Sequence, residues 1–189
     1  MPKEYLSLHQ LLDLDFNPLR DSNEADKIGI LERLLEKYKT SKIHTALAIY
    51  FCEKDKIYLQ AYPGDLSSPT ALRRKYYKER LSRIMPSLKK ETISDYRRAG
   101  EAAYNHAIGL DAAGVDIFKD EIIKKLLLLP MALQTYSPAD TEVYRNFAKM
   151  NKRAFGSYAH GKKSAQLNSK TALEQYVEVY DEQRTFFGH

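Results

Sequence analysis

The sequence predicts an all-α protein: a multi-helix bundle that contains a helix-turn-helix, with a C-terminal helix after a polar linker. Three observations predict it. Apolar residues recur at spacings of three and four in most segments. Ser-Pro pairs, which favour helix starts, open two segments, at Ser68 and at Ser137. The 189 residues are enough to bury a core without disulfides, and the single cysteine, Cys52, excludes an intramolecular disulfide framework.

The first predicted helix covers residues 21–40, where Asp21, Ser22 and Asn23 can act as N-caps. The next segment, 43–62, has two interpretations. Its apolar run is either a buried helix or one strand of a hairpin, because periodicity does not distinguish the two in a continuous apolar run. We favour a helix from about Ser41 to Glu53, since Thr40 or Ser41 can cap it.

Two further helices follow in close succession. Ser68 as N-cap and Pro69 at the first helical position predict a helix that stops near Met85, because Pro86 interrupts the pattern. The second helix is predicted over residues 88–107. On a helical wheel, the apolar face of this helix contains Ile93, Tyr96, Gly100, Tyr104 and Ala107. The opposite face contains Glu91, Ser94, Asp95, Arg98 and Ala102.

The rest of the chain also shows helical patterns. Residues 119–136 predict a largely buried helix that Pro130 kinks or ends, and residues 137–161 predict one or two more. We divide the chain into a helical DNA-binding domain, 1–160, and a linker with a C-terminal helix, 161–189. Residues 171–187 form the predicted dimerisation segment of a homodimer, although the same helix could instead complete the monomer's own core. Its apolar stripe contains Leu173, Tyr176, Val177 and Tyr180.

Positive charge is concentrated in two segments. Residues 67–107 contain 10 Lys/Arg against 4 Asp/Glu, and residues 151–170 contain 5 Lys/Arg and no acid, whereas the whole chain has a net charge of only +5. Clustered cations suit a polyanion, because each neutralised phosphate releases counterions. A solvated charged face is the alternative for either segment, and a flexible solvated linker is the alternative for the second.

The more basic segment coincides with the two adjacent helices, whose spacing is that of a helix-turn-helix. In that motif the second helix enters the major groove and the first crosses the phosphate backbone. We therefore predict double-stranded DNA as the partner, with backbone contacts from the first helix and base contacts from the second. The first helix supplies six cations where it would cross the phosphate backbone: Arg73, Arg74, Lys75, Lys78, Arg80 and Arg83. The residues that we select as the DNA-binding site are Arg73, Arg74, Lys75, Lys89, Lys90, Thr92, Ser94, Asp95, Arg98, Lys162 and Lys163.

From about Lys42 to Ala159 the order of features resembles the helix-turn-helix domains of plasmid and phage proteins related to the ParB/KorB central domain. "SPTALRRKYYKERL" is similar to their positioning helix, and "LKKETISDYRRAGEA" is similar to their recognition helix. The resemblance implies sequence-specific DNA binding in plasmid or phage maintenance, partition or transcriptional regulation. The chain lacks an arginine-rich "GERR"-like segment, so the resemblance does not extend to the nucleotide site of chromosomal ParB proteins.

Other functions are less consistent with the sequence. The histidines have no metal-ligand spacing, no phosphate-binding glycine loop is present, and we predict neither an enzyme nor a cofactor. Asp111 and Asp116 are predicted to form a turn rather than a cation site. The N-terminal residues contain no long apolar run, so we expect a cytoplasmic protein that does not enter membranes. A helical adaptor for an acidic protein and a small nucleic-acid-processing enzyme remain the alternatives.

Overall fold

Helix α4 (Lys42–Lys54) lies at the centre of the fold in our computed structural model, which describes residues 6–88, 90–133 and 141–165. Every residue from Ile43 to Cys52 is buried, so this helix is covered on all sides. The helical interpretation of this segment is therefore confirmed. The hairpin alternative is wrong, because the chain after α4 forms a short 3₁₀ helix, Ile57–Ala61, instead of a strand.

The described residues contain no strand, which confirms the all-α class. Several helices are interrupted by short irregular turns. Two of these are π turns, Leu12–Phe16 and Tyr77–Leu81, which add one residue to a helical turn. The remaining helices are α1 (Leu8–Leu11), α2 (Asn17–Asp21), α3 (Glu24–Lys37), α5 (Pro69–Tyr76), α6 (Ser82–Ile84), α7 (Lys90–Asn105), α8 (Ala107–Ala112), α9 (Ile122–Leu126), α10 (Leu129–Ala132), α11 (Thr141–Lys149) and α12 (152–165).

Helix α7 packs along α4, and this is the most extensive contact between two helices among the described residues. The two backbones approach closely at Gly100, where an added Cβ would lie 2.2 Å from the carbonyl oxygen of Ala46. Ala99 and Ala103 are buried beside Gly100, so small side chains make the close approach possible. Helix α9 covers a further side of α7.

The contact between α7 and α9 changes one sequence prediction. Ala102 was expected on the exposed face of the second helix, but it is buried. A helical wheel assumes one buried face, whereas α7 packs against both α4 and α9. Ser94, Asp95 and Arg98 remain exposed.

Asp111 connects the N-terminal helix to the rest of the fold. It lies in α8, and its carboxylate accepts hydrogen bonds from the backbone N–H groups of Leu8 (2.7 Å) and His9 (2.9 Å) at the start of α1. The predicted turn is therefore wrong for Asp111. Asp116 does form a turn, because its carboxylate accepts from the N–H of Phe118 at 3.1 Å.

Two further boundaries differ from those predicted. The segment around Pro130 forms two short helices, α9 and α10, with Pro130 in the first turn of the second, where its missing N–H is tolerated. The polar linker was expected to begin at residue 161, but α12 continues through residue 165. Residues 166–170 of that linker and the proposed dimerisation segment, 171–187, lie outside the described residues.

Cys52 is 2% exposed, and burial raises the pKa of its thiol, which keeps it unreactive. Within the described ranges, no helix has the length and apolar character required to cross a bilayer.

Two histidines, His44 and His106, are held inside the bundle. His44 is 6% exposed and its two ring nitrogens contact Asp15 and Ser41, while His106 Nδ1 lies 3.0 Å from the hydroxyl of Tyr144. Burial lowers the pKa of His44 and of His106 below the ordinary value of 6.5. Both rings are therefore neutral in the folded protein at neutral pH.

We expect the free energy of unfolding to decrease as the pH falls below about 6.5. The unfolded chain takes up protons at these histidines first, because their pKa values are lower in the folded state, so acid favours unfolding. Urea titrations at pH 7.5 and pH 5.5 measure the change. His44→Gln should reduce the pH dependence, and equal stability of the unmodified protein at both pH values would contradict the prediction.

Candidate nucleic-acid interface

The first helix of the predicted pair begins as the sequence indicates. The Ser68 side chain accepts a hydrogen bond from the N–H of Ala71, and Pro69 occupies the first turn. Helix α5 then continues through the second π turn into α6, which ends at Ile84, just before Met85 and Pro86. Six cations lie along this continuous helical segment, residues 69–84, and the structure separates them into two groups of three.

One group forms ion pairs within the protein, although all three of its members were predicted to lie where the first helix crosses the phosphate backbone. Their partners are acidic residues on α3, α4 and the loop before α5, so these cations fix the helical segment to the bundle. Arg73 and Lys75 are therefore partly neutralised, which weakens the case for a role in DNA binding. The pairs are Arg73–Glu53 at 3.0 Å, Lys75–Asp65 at 2.9 Å and Arg80–Glu32 at 2.8 Å.

The electrostatics of these pairs agree with their geometry. The hydrogen bond to Glu53 raises the pKa of Arg73, and the one to Asp65 raises the pKa of Lys75. Hydrogen bonds from Ser67 and from Lys75 lower the pKa of Asp65. Each of these pKa shifts shows that the pair stabilises the charged form of the side chain, as expected for a favourable ion pair.

The other three cations are Arg74, Lys78 and Arg83, which we call the outer row. All three are exposed, and none forms an ion pair with any described residue. They lie along one continuous helical segment, with Arg74 before the second π turn, Lys78 within it and Arg83 after it. The outer row is thus free to contact an external anion.

Helix α7 has an exposed face formed by Ser94, Asp95 and Arg98. These three residues were predicted to contact DNA, and their exposure leaves their side chains accessible to an external ligand. Thr92 is only partly exposed. Of the two predicted lysines at the start of this helix, Lys89 lies outside the described residues, as does the side chain of Lys90.

A cleft of about 550 Å³ lies between α4, α5 and α7. Arg73 lies on one side and Ser94 and Arg97 on the other, with Lys54 of α4 between them. Arg97 forms an ion pair with Glu101 at 3.4 Å. Lys54 and Arg97 were not among the predicted site residues, although two adjacent arginines at positions 97 and 98 were a visible signal that either could face the ligand.

The helix pair does not pack as the predicted motif requires. In a helix-turn-helix the two helices pack against each other. Here α5 packs chiefly on the 3₁₀ helix, and α7 packs chiefly on α4 and α9. The order of helix, short connection and helix is present, but the buried helix α4 forms most of the contact surface that the first helix was expected to provide.

The second basic segment is helical over residues 152–165 of its described part. Arg153 and Lys163 are exposed on α12, whereas Lys162 is partly exposed with its ammonium 5.8 Å from the centre of the Tyr158 ring. The predicted contacts from Lys162 and Lys163 would therefore come from a helix rather than from a loop or arm. Lys170 lies outside the described residues.

The described residues contain no group of three or more His, Cys, Asp or Glu side chains arranged to hold a metal ion. Comparisons with known proteins do not define a family for this chain: no family model, curated protein or solved structure matches it significantly. The case for a function therefore depends on the exposed side chains of α5, α6 and α7.

Proposed function

We propose that this protein binds double-stranded DNA through the outer row and the exposed face of α7. The observation that supports the proposal most directly is the division of cations on residues 69–84. Three are used in ion pairs with the bundle, while Arg74, Lys78 and Arg83 extend into solvent without such partners among the described residues. An exposed row of free cations provides the sequence-independent attraction to phosphates that contributes much of DNA affinity.

Sequence preference would come from α7. Arg98 can donate two hydrogen bonds to the acceptors of guanine, and Asp95 can accept one from the amino group of cytosine. Both residues are exposed, with Ser94 beside them. A role in plasmid or phage partition, or in transcriptional regulation, requires such a preference, whereas the outer row alone would give only general DNA binding.

Replacing the outer row tests the phosphate contacts. We expect the Arg74→Ala, Lys78→Ala, Arg83→Ala triple variant to bind a duplex more weakly and with a shallower salt dependence. If each cation neutralises one phosphate, the slope of log K against log salt falls by about 2 to 3, since each contact contributes about 0.9. Fluorescence anisotropy with a labelled duplex between about 50 and 200 mM salt provides the measurement, because a slope difference of 2 to 3 changes the affinity ratio of the two proteins by about 1.2 to 1.8 orders of magnitude over that range.

A variant that removes the same charge elsewhere provides the control. Arg20, Lys39 and Lys119 are exposed cations outside residues 69–107. Their triple replacement with alanine should leave the slope near that of the unmodified protein. Equal slopes for both triple variants would show that binding depends on net charge alone and would contradict a defined interface at the outer row.

Selection from a randomised duplex pool tests the role of α7. An enriched motif that Arg98→Ala alters at one base position would support base contacts from this helix. A palindromic motif would also support a homodimer. Preferential binding to an acidic protein, with no measurable affinity for duplex DNA, would instead favour the adaptor alternative and contradict the proposed function.

A further inference from the structure

A serine, a histidine and an aspartate form a continuous hydrogen-bonded chain at the start of α4. Ser41 Oγ lies 2.7 Å from His44 Nδ1, and His44 Nε2 lies 3.1 Å from Asp15 Oδ2. The hydroxyl of Tyr38 donates to the other carboxylate oxygen of Asp15 at 2.7 Å. This is the order of groups that activates a nucleophilic hydroxyl: an alcohol, a general base, and a carboxylate that orients the base.

The hydrogen bonds assign the tautomer of His44. A carboxylate accepts hydrogen bonds, so the proton of the neutral ring is on Nε2 and is donated to Asp15. The lone pair of Nδ1 then faces the Ser41 hydroxyl and can accept its proton. The ring of Tyr38, stacked on the imidazole with 3.9 Å between centres, holds it in this orientation.

Ser41 differs from two other serines that occupy N-cap positions. Ser7 and Ser68 each accept a hydrogen bond from a backbone N–H in the first turn of the helix, the usual role of this position. Ser41 also occupies the N-cap position, of α4, but its side chain makes no capping hydrogen bond and contacts His44 instead.

The first backbone N–H groups of α4 are left without partners inside the helix. The first intrahelical hydrogen bond runs from the N–H of Thr45 to the carbonyl of Ser41, so the N–H groups of Lys42 and Ile43 have no partner within the helix. These donors directly follow the hydroxyl along the chain. They are suited to stabilise an oxyanion that forms on a group attached to Ser41.

Ser41 is one of the residues that line a cavity of about 240 Å³, which offers space for a ligand next to this residue. An ion pair between Lys42 and Asp120, 3.1 Å long, lies at the edge of this cavity. The volume is below the range of pockets for drug-sized ligands, so it suits a short acyl group. The apolar part of the lining contains Ile43, Ile117, Phe118 and Ile122.

We propose that Ser41 is the nucleophile of a hydrolytic site for small carboxylic esters. Ser41 Oγ attacks the ester carbonyl carbon while its proton passes to His44 Nδ1, and the N–H groups of Lys42 and Ile43 stabilise the oxyanion. The carbon–oxygen bond to the leaving alcohol then breaks, and that alcohol takes the proton from His44. Water then attacks the acyl carbon while one of its protons passes to His44. The bond between the acyl carbon and Ser41 Oγ breaks, the proton on His44 passes to Oγ to restore the hydroxyl, and the carboxylic acid leaves.

The proposal is tested on the full-length protein with a fluorophosphonate probe and with p-nitrophenyl acetate. The probe should phosphonylate Ser41 with loss of fluoride, as located by peptide mass spectrometry, and p-nitrophenyl acetate should give an acetylated Ser41 and p-nitrophenolate. Ser41→Ala should abolish both reactions. Ser68→Ala, which removes an N-cap serine outside this chain of hydrogen bonds, should leave both unchanged.

A second variant separates catalysis from a structural role of the same hydrogen bonds. His44→Gln retains hydrogen-bonding atoms but cannot act as a base, so we expect labelling of Ser41 to slow by at least about 100-fold, within the range attributed to general bases. Labelling by the unmodified protein should also slow in acid as His44 is protonated. The charged or titratable groups around His44 are Asp15, Tyr38 and Lys37. The ammonium of Lys37 lies 3.9 Å from the carboxylate of Asp15.

Two results would overturn the proposal. One is the absence of any modification on Ser41 in protein whose circular dichroism shows the native helical content. The other is labelling of Ser41 at the same rate in the unmodified protein and in His44→Gln. Neither result depends on DNA binding, so this proposal and the proposed function can fail separately.

Discussion

We expect Gly100→Ala to be strongly destabilising for so small a change, with a loss of about 3 kcal/mol or more in the free energy of unfolding. The new Cβ would lie 2.2 Å from Ala46 O and 2.9 Å from the Cβ of Tyr50. The first of these neighbours is backbone, which cannot rotate away as a side-chain tip can. Helices α4 and α7 would have to separate along their contact.

Gly29→Ala is the matched control, because Gly29 also lies inside a helix, α3. The nearest atom to an added Cβ there is the tip of the Arg33 side chain at 3.6 Å, an ordinary contact. Alanine has a higher helix propensity than glycine, so this variant should be more stable by up to about 1 kcal/mol. Urea unfolding followed by circular dichroism measures both variants. A Gly100→Ala protein as stable as the parent would show that α4 and α7 do not approach as closely as the structure indicates.

Local sequence signals predicted the helix boundaries well where one residue type determines the backbone. Ser68 and Pro69 mark the start of α5, and Pro86 follows the end of α6, as expected from the missing N–H and fixed φ of proline. The burial of α4 was also predictable, since its run of apolar residues has no polar side to expose to solvent. These helix boundaries and the burial of α4 depend on residues that are close together in the sequence.

The candidate site was less predictable because its properties depend on residues distant in sequence. Nothing near Arg73 or Arg80 indicates that Glu53 and Glu32 would form ion pairs with them and leave only the outer row free. The π turn Tyr77–Leu81, which lies between Arg74 and Arg83, has no sequence signature comparable to proline. Likewise, Ser41 and His44 are three residues apart and visible as a pair, but Asp15 reaches them only through the tertiary fold.

Replacement of Lys125 is the second change that we expect to have a large effect on stability, because this charged residue is only 4% exposed. It lies on α9, and its ammonium donates hydrogen bonds to the backbone carbonyl of Phe147 and, at 2.8 Å, to that of Met150. Phe147 lies in the last turn of α11 and Met150 directly follows that helix, where backbone carbonyls are left without intrahelical partners. Burial lowers the pKa of Lys125, which reflects the cost of removing the charge from water.

We expect Lys125→Met to reduce the free energy of unfolding by about 2–3 kcal/mol. Methionine retains most of the aliphatic volume, so the loss reports the two carbonyls left without a donor rather than a cavity. Lys124→Met is the matched control: the adjacent lysine is exposed, and its replacement should change the stability by less than about 0.5 kcal/mol. Urea unfolding of both variants provides the comparison. If Lys125→Met were as stable as the parent, the desolvation cost of the buried ammonium would equal what its hydrogen bonds contribute, and Lys125 would not be the residue that secures α11 to α9.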